Sequence, residues 1–273
     1  MELRYPLIDI DSAGTADGGL RLFTDIPEIN SGLAYHLTIP PGGSRGRQTN
    51  HNADEALICL QGSGIAGVGS EHADIRAGHC QLIPKGAENF FFNNGGSDAV
   101  LVGFYIGVTD TDGIGLKQGA PVNPDELQGA ADGISTGIFV HLDDVTPENM
   151  DKGEGWHITD FRLPLSGRNG CTSTLFRARF FPGAVHAKHR HENCDEIYFV
   201  ISGHGLAGAG PDRIEVHGGK FHFIPAGVEH WLHNLSDTDP IEGVGIYIGA
   251  GSVKDTGYVF MGNVTEDDIK ART

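Results

Sequence analysis

The apolar residues of the chain form short runs of five to seven residues, separated by glycine, proline and asparagine. Runs of this length that are rich in β-branched and aromatic residues are typical of strands. The second half contains four clear cases: LFRARFF (175–181), EIYFVIS (196–202), KFHFIP (220–225) and GVGIYIG (243–249). The pattern predicts an all-β fold.

Signals for helices are few and short. A helix N-cap followed by proline occurs at Asn123-Pro124 and at Thr146-Pro147, and Thr265 with Asp268 resembles a capping box. Glycine supplies 41 of the 273 residues, which is about twice the usual share. This composition agrees with a turn-rich chain of many strands and few short helices.

The chain contains an internal repeat. The string GSGIAGVG, which starts at Gly62, returns as GHGLAGAG starting at Gly203, a shift of 141 residues. The same shift aligns Glu55 with Glu196, Gly78 with Gly219, Pro84 with Pro225, Gly86 with Gly227 and Asn93 with Asn234. Such self-similarity indicates two copies of one folding unit. We predict an antiparallel barrel in residues 1–120, a turn-rich connector in 121–144 and a second barrel in 145–273.

Four candidate metal ligands lie close together in the second half. His189 and His191 are two residues apart, so on a strand they point to the same face. Glu196 follows the next turn, and His230 follows a Pro-x-Gly turn on a return strand. Three imidazoles and one carboxylate suit a divalent transition metal. We predict one such ion in the second barrel, with Fe(II), Mn(II) or Ni(II) favoured and Zn(II) or Cu(II) as alternatives.

The strings around these ligands resemble the two consensus motifs of the cupin superfamily. They are GAVHAKHRHENCDEIYFVISG from Gly183 and GKFHFIPAGVEHWLHN from Gly219. The resemblance implies two tandem jelly-roll barrels of the double-stranded β-helix type, a bicupin. Both motifs are intact only in the second barrel, so the resemblance also implies that the metal binds there.

The first half retains one of the four donors. At the shift of 141 residues Glu55 matches Glu196, whereas Gln48, Asn50 and Asn89 stand where the second half has histidine. Amide oxygens bind transition metals weakly beside imidazole, so we expect no catalytic metal in the first barrel. Its role is left open between structural support, dimerisation and a second small-molecule pocket lined by these four residues.

Two residues near the ligands are candidates for catalysis. Alternation along the strand from Glu196 directs Tyr198 inward, where it is a proton donor, a substrate anchor or a packing aromatic. His186 lies three residues before the first ligand and is the second candidate for moving a proton. In cupins that decarboxylate oxalate, an arginine stands at the position that matches His186. The histidine therefore argues against oxalate as the substrate.

Three further residues are candidates for substrate binding. Arg177 and Arg179 share one face of a strand, and they would clamp a carboxylate if that face points inward. The sequence does not decide which face this is. Alternation from His230 directs Asn234 inward, so we include it as the third candidate.

Several functions are compatible with this site, because one fold hosts many activities. Two-barrel cupins with three histidines and one glutamate are commonly dioxygenases. The resemblance therefore favours a dioxygenase acting on a small enol, phenolic or hydroxy-carbonyl compound. The alternatives are a non-redox metal-dependent isomerase, lyase or decarboxylase of a small polar or sugar-derived substrate, and a non-catalytic metal-containing binding protein.

Charge and composition limit the partners. The formal net charge is −17, which opposes binding to nucleic acid or to anionic lipid. The longest apolar stretch, Ala99 to Val108, is too short for a membrane-spanning helix. Four cysteines without CxxC spacing and the lack of a visible secretory signal predict a cytoplasmic location. Sheet edges that need cover predict a homodimer or higher homo-oligomer.

Overall fold

The structure is a computed structural model, and it describes residues 3–14, 19–24, 26, 28–127, 137–148, 150 and 158–270. The chain divides into two units. The first barrel comprises Ala13–Val145 and Arg168–Cys171, and the second barrel comprises Met1–Ser12, Thr146–Gly167 and Thr172–Thr273. Each unit is a pair of antiparallel sheets, so the predicted all-β fold of two jelly-roll barrels is confirmed.

The strands run through both units in a matching order. The chain begins with β1 (Ile8–Asp9), a strand of the second barrel. The first barrel contains β2 (Leu20–Phe23), β3 (Gly32–Ile39), β4 (Gln48–Asn50), β5 (Asp54–Gln61), β6 (Ser63–Val68), β7 (Glu71–Arg76), β8 (His79–Ile83), β9 (Glu88–Phe92), β10 (Ala99–Ile106), α1 (Thr111–Ile114), β11 (Leu116–Gln118) and β12 (Phe139–His141). The second contains β13 (Ile158–Leu165), β14 (Thr174–Phe180), β15 (Val185–His191), β16 (Asp195–Ser202), β17 (His204–Ala209), β18 (Asp212–His217), β19 (Lys220–Ile224), β20 (His230–Asn234), β21 (Ile241–Ile248), β22 (Tyr258–Gly262) and α2 (Glu266–Lys270).

The two barrels have the same sheet topology. The first barrel has a six-stranded sheet in the order β12-β8-β5-β10-β3-β2 and a five-stranded sheet in the order β11-β4-β9-β6-β7. The second has the orders β1-β19-β16-β21-β14-β13 and β18-β17-β20-β15-β22. The strands correspond one to one across the repeat. Each barrel therefore carries its repeat of the predicted ligand positions on equivalent strands.

One pair of equivalent edge strands, β1 and β12, comes from segments outside the two predicted barrels to which they belong in the structure. The edge strand beside β19 is β1, from the N-terminal segment, whereas the edge strand beside β8 is β12, from the predicted connector. The structural division therefore differs from the predicted boundaries of 1–120, 121–144 and 145–273 at these two segments. Neither short strand falls within the repeated sequence, so the 141-residue shift gives no sign of it.

Both barrels bury their interior in the same way. An aromatic ring from equivalent strands, Tyr35 on β3 and Phe176 on β14, lies across a glycine of the neighbouring strand. A Cβ at Gly103 would lie 2.3 Å from the Tyr35 ring, and a Cβ at Gly245 would lie 2.4 Å from the Phe176 ring. Only glycine admits this approach. The matching strings GFYIG (103–107) and GIYIG (245–249) begin with these glycines. They thus allow a large ring to fill each barrel.

The helix signals were partly correct. Pro124 begins a short 3-10 turn, and α2 begins after Thr265, whose side chain and backbone bond with Asp268 as in a capping box. No helix follows Thr146 within the described residues, and Glu148 instead forms a bridge with Phe161. Among the described residues, no helix is long and apolar enough to cross a membrane.

Candidate metal centre

The second barrel brings together the four predicted ligands. His189 and His191 lie on β15, His230 on β20 and Glu196 on β16. Their candidate ligand atoms all lie within 4.8 Å of one another, and all four residues are buried. The five-stranded sheet thus supplies three imidazoles, and the six-stranded sheet supplies the carboxylate.

Backbone pairing fixes the spacing of these side chains. His189 and His230 are directly opposite each other on neighbouring antiparallel strands. The turn before His230 is held to β15, because the backbone N–H of Gly227 donates to the carbonyl of His191 at 2.7 Å. Gly227 has a φ of 79°, a conformation that favours glycine. The Pro-x-Gly element of the sequence therefore sets the position of His230 relative to His191.

Hydrogen bonds orient two of the rings. The Nδ1 of His189 lies 2.7 Å from the Ala187 carbonyl oxygen, and the Nδ1 of His230 lies 2.9 Å from the Val228 carbonyl oxygen. A carbonyl oxygen only accepts, so each Nδ1 carries a proton, which leaves Nε2 as the nitrogen that would bind a metal. Backbone acceptors of this kind commonly orient histidine ligands of metals.

The charge of the centre is concentrated on Glu196. Burial alone would raise the pKa of this carboxyl, but contacts with the histidines hold the pKa well below its usual range. Its Oε2 lies 3.0 Å from His230 Nε2 and 3.2 Å from His191 Nε2. Burial, followed by the neighbouring histidines, lowers the pKa of His189 well below its usual value. A neutral His189 beside an ionised Glu196 is the protonation state that metal binding requires.

These residues fit a divalent transition metal. Three imidazole nitrogens and one carboxylate oxygen converge in a buried space, and two of the imidazoles have their Nε2 lone pairs fixed by backbone bonds. The donors match the preference of first-row transition ions for imidazole and carboxylate. The second barrel thus carries the predicted site for one divalent metal ion.

A cavity of about 40 Å³ adjoins the ligands inside the second barrel. Glu196 and His230 contribute to it from the metal site, and most of the remaining wall is apolar. The lining residues are Ile158, Phe161, Phe176, Ala178, Phe180, His186, Glu196, Tyr198, Val200, Ile224, His230, Trp231, Leu232, Ile241, Gly243 and Tyr247. A ligand at the metal would therefore lie against an apolar surface with a few polar groups.

A second cavity of about 330 Å³ adjoins the same group of residues. It shares His186 and Tyr247 with the smaller cavity and reaches the ligand His191. Among the described residues that line this cavity, one is a lysine or arginine. It is Lys254, and its side chain is exposed. This cavity is the better candidate for the route by which a small molecule reaches the metal.

The two predicted catalytic residues both line the smaller cavity. Tyr198 lies two residues from Glu196 on β16, and its hydroxyl lies 2.8 Å from Nδ1 of the buried His222. His186 packs against the ligand His189 with 4.0 Å between ring centroids. Both side chains are thus near the metal site, and their catalytic roles stay predictions.

The structure does not place the predicted carboxylate clamp at the cavity. On β14 the residues that line the cavity are Phe176, Ala178 and Phe180, so the alternate residues Arg177 and Arg179 lie on the opposite face. Arg177 pairs with Asp160 at 2.7 Å and with Glu242 at 2.9 Å, and Arg179 pairs with Glu242 at 2.6 Å. Both arginines belong to an ion-pair network outside the barrel interior.

The structure does not support the predicted substrate role of Asn234 either. The side chain is fully buried, and its Nδ2 donates to the carbonyls of Phe180, Phe181 and Asp239. Its Oδ1 accepts from the backbone of Ser236. Asn93 makes the equivalent bonds in the first barrel. The repeated asparagine therefore braces a loop, and its polar atoms are used within the protein.

In the first barrel a guanidinium lies among the four residues at the positions of the metal ligands. Arg45 forms a two-pronged ion pair with Glu55, with distances of 2.6 Å and 2.9 Å. Asn50 also donates to Glu55 at 2.8 Å, the Gln48 amide lies against Arg45, and Asn89 donates to the backbone of Gln48. The retained glutamate and the three replacing amides are all buried. The alternative of a small-molecule pocket lined by them is not supported, because Arg45 occupies the space between them.

A second group of potential ligands lies on the surface of the second barrel. His204 and His217 are opposite each other on β17 and β18, and Glu215 lies beside His217. All three are exposed. We treat this group as a control in metal measurements, because exposed histidine and glutamate residues commonly come together without a functional metal.

The fold and the site together define a two-barrel protein with a three-histidine, one-glutamate metal centre in the second barrel. Residues 35–105 and 176–247 each match the family described as Cupin domain, which covers more than half of the chain. The chain therefore belongs to the cupin family, and the resemblance seen in its motifs is confirmed.

Comparison with known proteins gives three informative relatives. An oxalate-binding protein of Thermotoga maritima is 27% identical over 107 residues, which are 38% of this chain and 88% of the relative. A structure of oxalate decarboxylase from Bacillus subtilis, described with its Mn(II) centres, has a TM-score of 0.72 at 14% identity and covers 96% of this chain and 80% of its own. Oxalate decarboxylase from Lactobacillus farciminis, as a formate complex, has a TM-score of 0.73 at 12% identity and covers 96% and 90%.

Several residues that surround the site were not predicted from the sequence. Tyr247 packs edge-on against His191, Tyr258 stacks on His189, and His222 bonds to Tyr198. Arg45 was missed in the first barrel. The repeat could have identified two of them, because Tyr105 aligns with Tyr247 at a shift of 142 residues and Arg45 aligns with His186 at a shift of 141.

Proposed function

We propose that the protein is a metal-dependent, non-redox enzyme that decarboxylates a small carboxylic acid with an apolar body. The observation that carries this proposal is the metal site beside an apolar cavity in the second barrel. The metal supplies a Lewis acid that polarises a carboxylate or carbonyl oxygen when it is bound. Mn(II) and Fe(II) are the first choices for this ion.

The relatives support the decarboxylase alternative over the dioxygenase that the resemblance favoured. Two of them are described as oxalate decarboxylases and one as an oxalate-binding protein. None of these descriptions names an oxygenase. Oxygen consumption therefore becomes an outcome to test.

Oxalate itself is not the substrate that this cavity favours. Oxalate is a small dianion, and arginine or lysine is the usual group that pairs with a second carboxylate. The described residues that line the smaller cavity include neither, since Arg177 and Arg179 lie outside it. The phenylalanine and isoleucine side chains of the wall instead favour a substrate with one carboxylate and an apolar remainder. They also argue against a sugar-derived substrate.

The proposed reaction breaks the bond between the carboxylate carbon and its neighbour. The electron pair stays on the substrate carbon, carbon dioxide leaves, and that carbon takes up one proton, so no oxidant is required. His186 is proposed to carry the proton, because it lines both cavities and lies beside the ligand His189. Tyr198 is proposed to hold the substrate, and the apolar wall keeps water from the reacting carbon.

A coupled assay tests this function. The protein is loaded with Mn(II) or Fe(II) and given a panel of 2-oxo, 2-hydroxy and aromatic monocarboxylates, with oxalate included. Release of carbon dioxide is measured together with oxygen uptake. Carbon dioxide release without oxygen uptake is expected for at least one monocarboxylate. Oxygen uptake in proportion to turnover would replace the proposal with the dioxygenase.

Two variants serve as matched controls for this assay. His189→Ala removes a metal ligand and should abolish turnover, whereas Gln48→Ala alters the equivalent position of the first barrel. His186→Gln tests the proton carrier, because it keeps a polar side chain without a titrating group. It should lower kcat at least 100-fold with little change in bound metal.

A further inference from the structure

A buried histidine of the second barrel is not explained by metal binding. His222 lies on β19 directly opposite Tyr198 on β16, and it is completely buried. Its ring bonds on one side to the Tyr198 hydroxyl and on the other to the backbone carbonyl of Tyr5. Three groups thus form a chain that begins in the N-terminal segment and ends at the cavity.

The direction of the hydrogen bonds in this chain is fixed at one end. The Tyr5 carbonyl oxygen lies 3.1 Å from Nε2 of His222, and a carbonyl oxygen only accepts. Nε2 therefore carries the proton. Burial, followed by the charge of His230, lowers the pKa of His222 to about 4. A neutral ring with its proton on Nε2 has a lone pair on Nδ1.

The orientation of the Tyr198 hydroxyl follows from this lone pair. Tyr198 lies 2.8 Å from Nδ1 of His222, so its hydroxyl proton points at the histidine. The remaining lone pairs of the Tyr198 oxygen are then the polar feature that this residue presents to the cavity it lines. A phenol that already donates can only accept a further hydrogen bond.

We propose that Tyr198 is a specificity-determining acceptor that selects substrates with a hydroxyl or N–H group remote from the metal-binding carboxylate. His222 acts as the positioning residue, and the Tyr5 carbonyl sets the orientation of His222. Glu196 and Tyr198 are two residues apart on one strand, so their Cα atoms are roughly 7 Å apart, and the group that reaches Tyr198 is distinct from the carboxylate at the metal. This inference rests on the proposed function for the carboxylate at the metal.

Binding of probe acids to the Co(II)-loaded protein tests the inference without turnover. The probes are 4-hydroxybenzoate, which has a donor opposite its carboxylate, and 4-fluorobenzoate, which is of similar size and has none. Calorimetry and the visible spectrum of Co(II) report binding at the metal. We expect 4-hydroxybenzoate to bind about 2- to 10-fold more tightly, the range of one hydrogen bond.

Three variants distinguish positioning from packing. Tyr198→Phe should remove the preference between the two acids while leaving the Co(II) spectrum of the free protein unchanged. His222→Phe frees the Tyr198 hydroxyl to donate, so the preference should be lost or reversed. His222→Gln should restore it, because an amide both accepts from Tyr198 and donates to the Tyr5 carbonyl.

Two results would overturn the inference. One is an unchanged preference in Tyr198→Phe, and the other is no binding of either acid to the wild-type protein at millimolar concentration. Failure of the decarboxylase proposal would look different, because the binding preference would remain while the coupled assay showed no carbon dioxide release.

Discussion

Each barrel has a buried glutamate at its centre, and the two halves of the chain surround it with different groups. Glu196 of the second barrel faces three histidines that together suit a metal ion. Glu55 of the first barrel faces the guanidinium of Arg45, which aligns with His186. The positively charged side chain of Arg45 thus occupies, in the first barrel, the position that the metal site has in the second.

The difference shows that the same fold can hold either a metal site or a buried ion pair at its centre. Arg45 is always charged and is enclosed by Glu55, Gln48, Tyr35 and Tyr105. Burial alone would lower the pKa of Arg45, but Glu55 raises it well above its ordinary value. A side chain held in this way leaves no coordination position for a substrate. A six-coordinate metal held by four protein ligands would leave two positions open, so we expect a substrate to bind at the centre of the second barrel.

The first prediction concerns the loss of the charge in the first barrel. Arg45→Ala leaves Glu55 buried without its counter-charge, so we expect the free energy of unfolding to fall by about 3–5 kcal/mol. Urea denaturation followed by circular dichroism measures this. The matched variant His186→Ala in the second barrel leaves Glu196 with its contacts to His191 and His230, so it should lower the free energy of unfolding by less than Arg45→Ala does.

A double variant sharpens this prediction. Arg45→Met with Glu55→Gln removes both charges together and should recover most of the lost stability. Equal destabilisation by the single and the double variants would show that Arg45 stabilises the barrel by packing alone.

The second prediction is a difference in acid stability between the barrels. His222 takes up a proton below about pH 6.5 when unfolded, but only near pH 4 when folded. The unfolded state therefore binds more protons across this window, so the folded state loses stability as the pH falls. The loss reaches about 3 kcal/mol at pH 4. His189, whose pKa is also lowered, acts in the same direction.

The repeat provides the control for this prediction. Gln81 stands at the position of His222 in the first barrel and does not titrate. His222→Gln should therefore reduce the fall in stability between pH 6.5 and pH 4. Tryptophan fluorescence is suited to this measurement, because the chain has two tryptophans and both fall in the second half of the sequence. An unchanged pH dependence in the variant would contradict the burial of a neutral His222.

The third prediction concerns the metal. His189→Ala should weaken metal binding by about 100-fold or more, since even the loss of an outer hydrogen-bond partner costs 10- to 100-fold. Gln48→Ala, the matched change in the first barrel, should leave one metal ion per chain. Elemental analysis after dialysis measures both, in a His217→Ala background that removes the exposed histidine pair. A second bound equivalent that survives His189→Ala in this background would contradict a single site.

Much of this architecture could be predicted from the sequence, because the signals were local or repeated. Strand runs and turn glycines gave the all-β fold, and the 141-residue shift aligned the centres of the barrels. The four metal-binding side chains come from two short strings whose strand and turn positions are determined by nearby residues. The same logic gave the N-terminal capping of α2 by Thr265.

Other features depend on contacts that no local pattern determines. Arg177 and Arg179 share a face, but the choice between inside and outside is set by pairing of β14 with β13 and β21, which brings Asp160 and Glu242 to them. The bond from His222 to Tyr5 joins residues 217 positions apart. Partners at such separation are visible only in the folded chain.

The last prediction concerns the entrance to the site, where the two barrels differ in charge. Lys254 lines the larger cavity of the second barrel. Asp112 stands at the matching position of the first barrel. Each residue lies in a short helical turn that precedes a strand of its barrel's five-stranded sheet. Lys254→Asp should weaken binding of 4-hydroxybenzoate to the Co(II)-loaded protein by about 2- to 5-fold, because an exposed charge contributes only about 0.2–1 kcal/mol. The effect should shrink at 1 M salt, where the screening length falls to about 3 Å.

Lys254→Met separates the loss of attraction from the added repulsion and should have the smaller effect. A loss that persists at high salt would show that Lys254 contacts the bound acid directly instead of attracting it from the entrance.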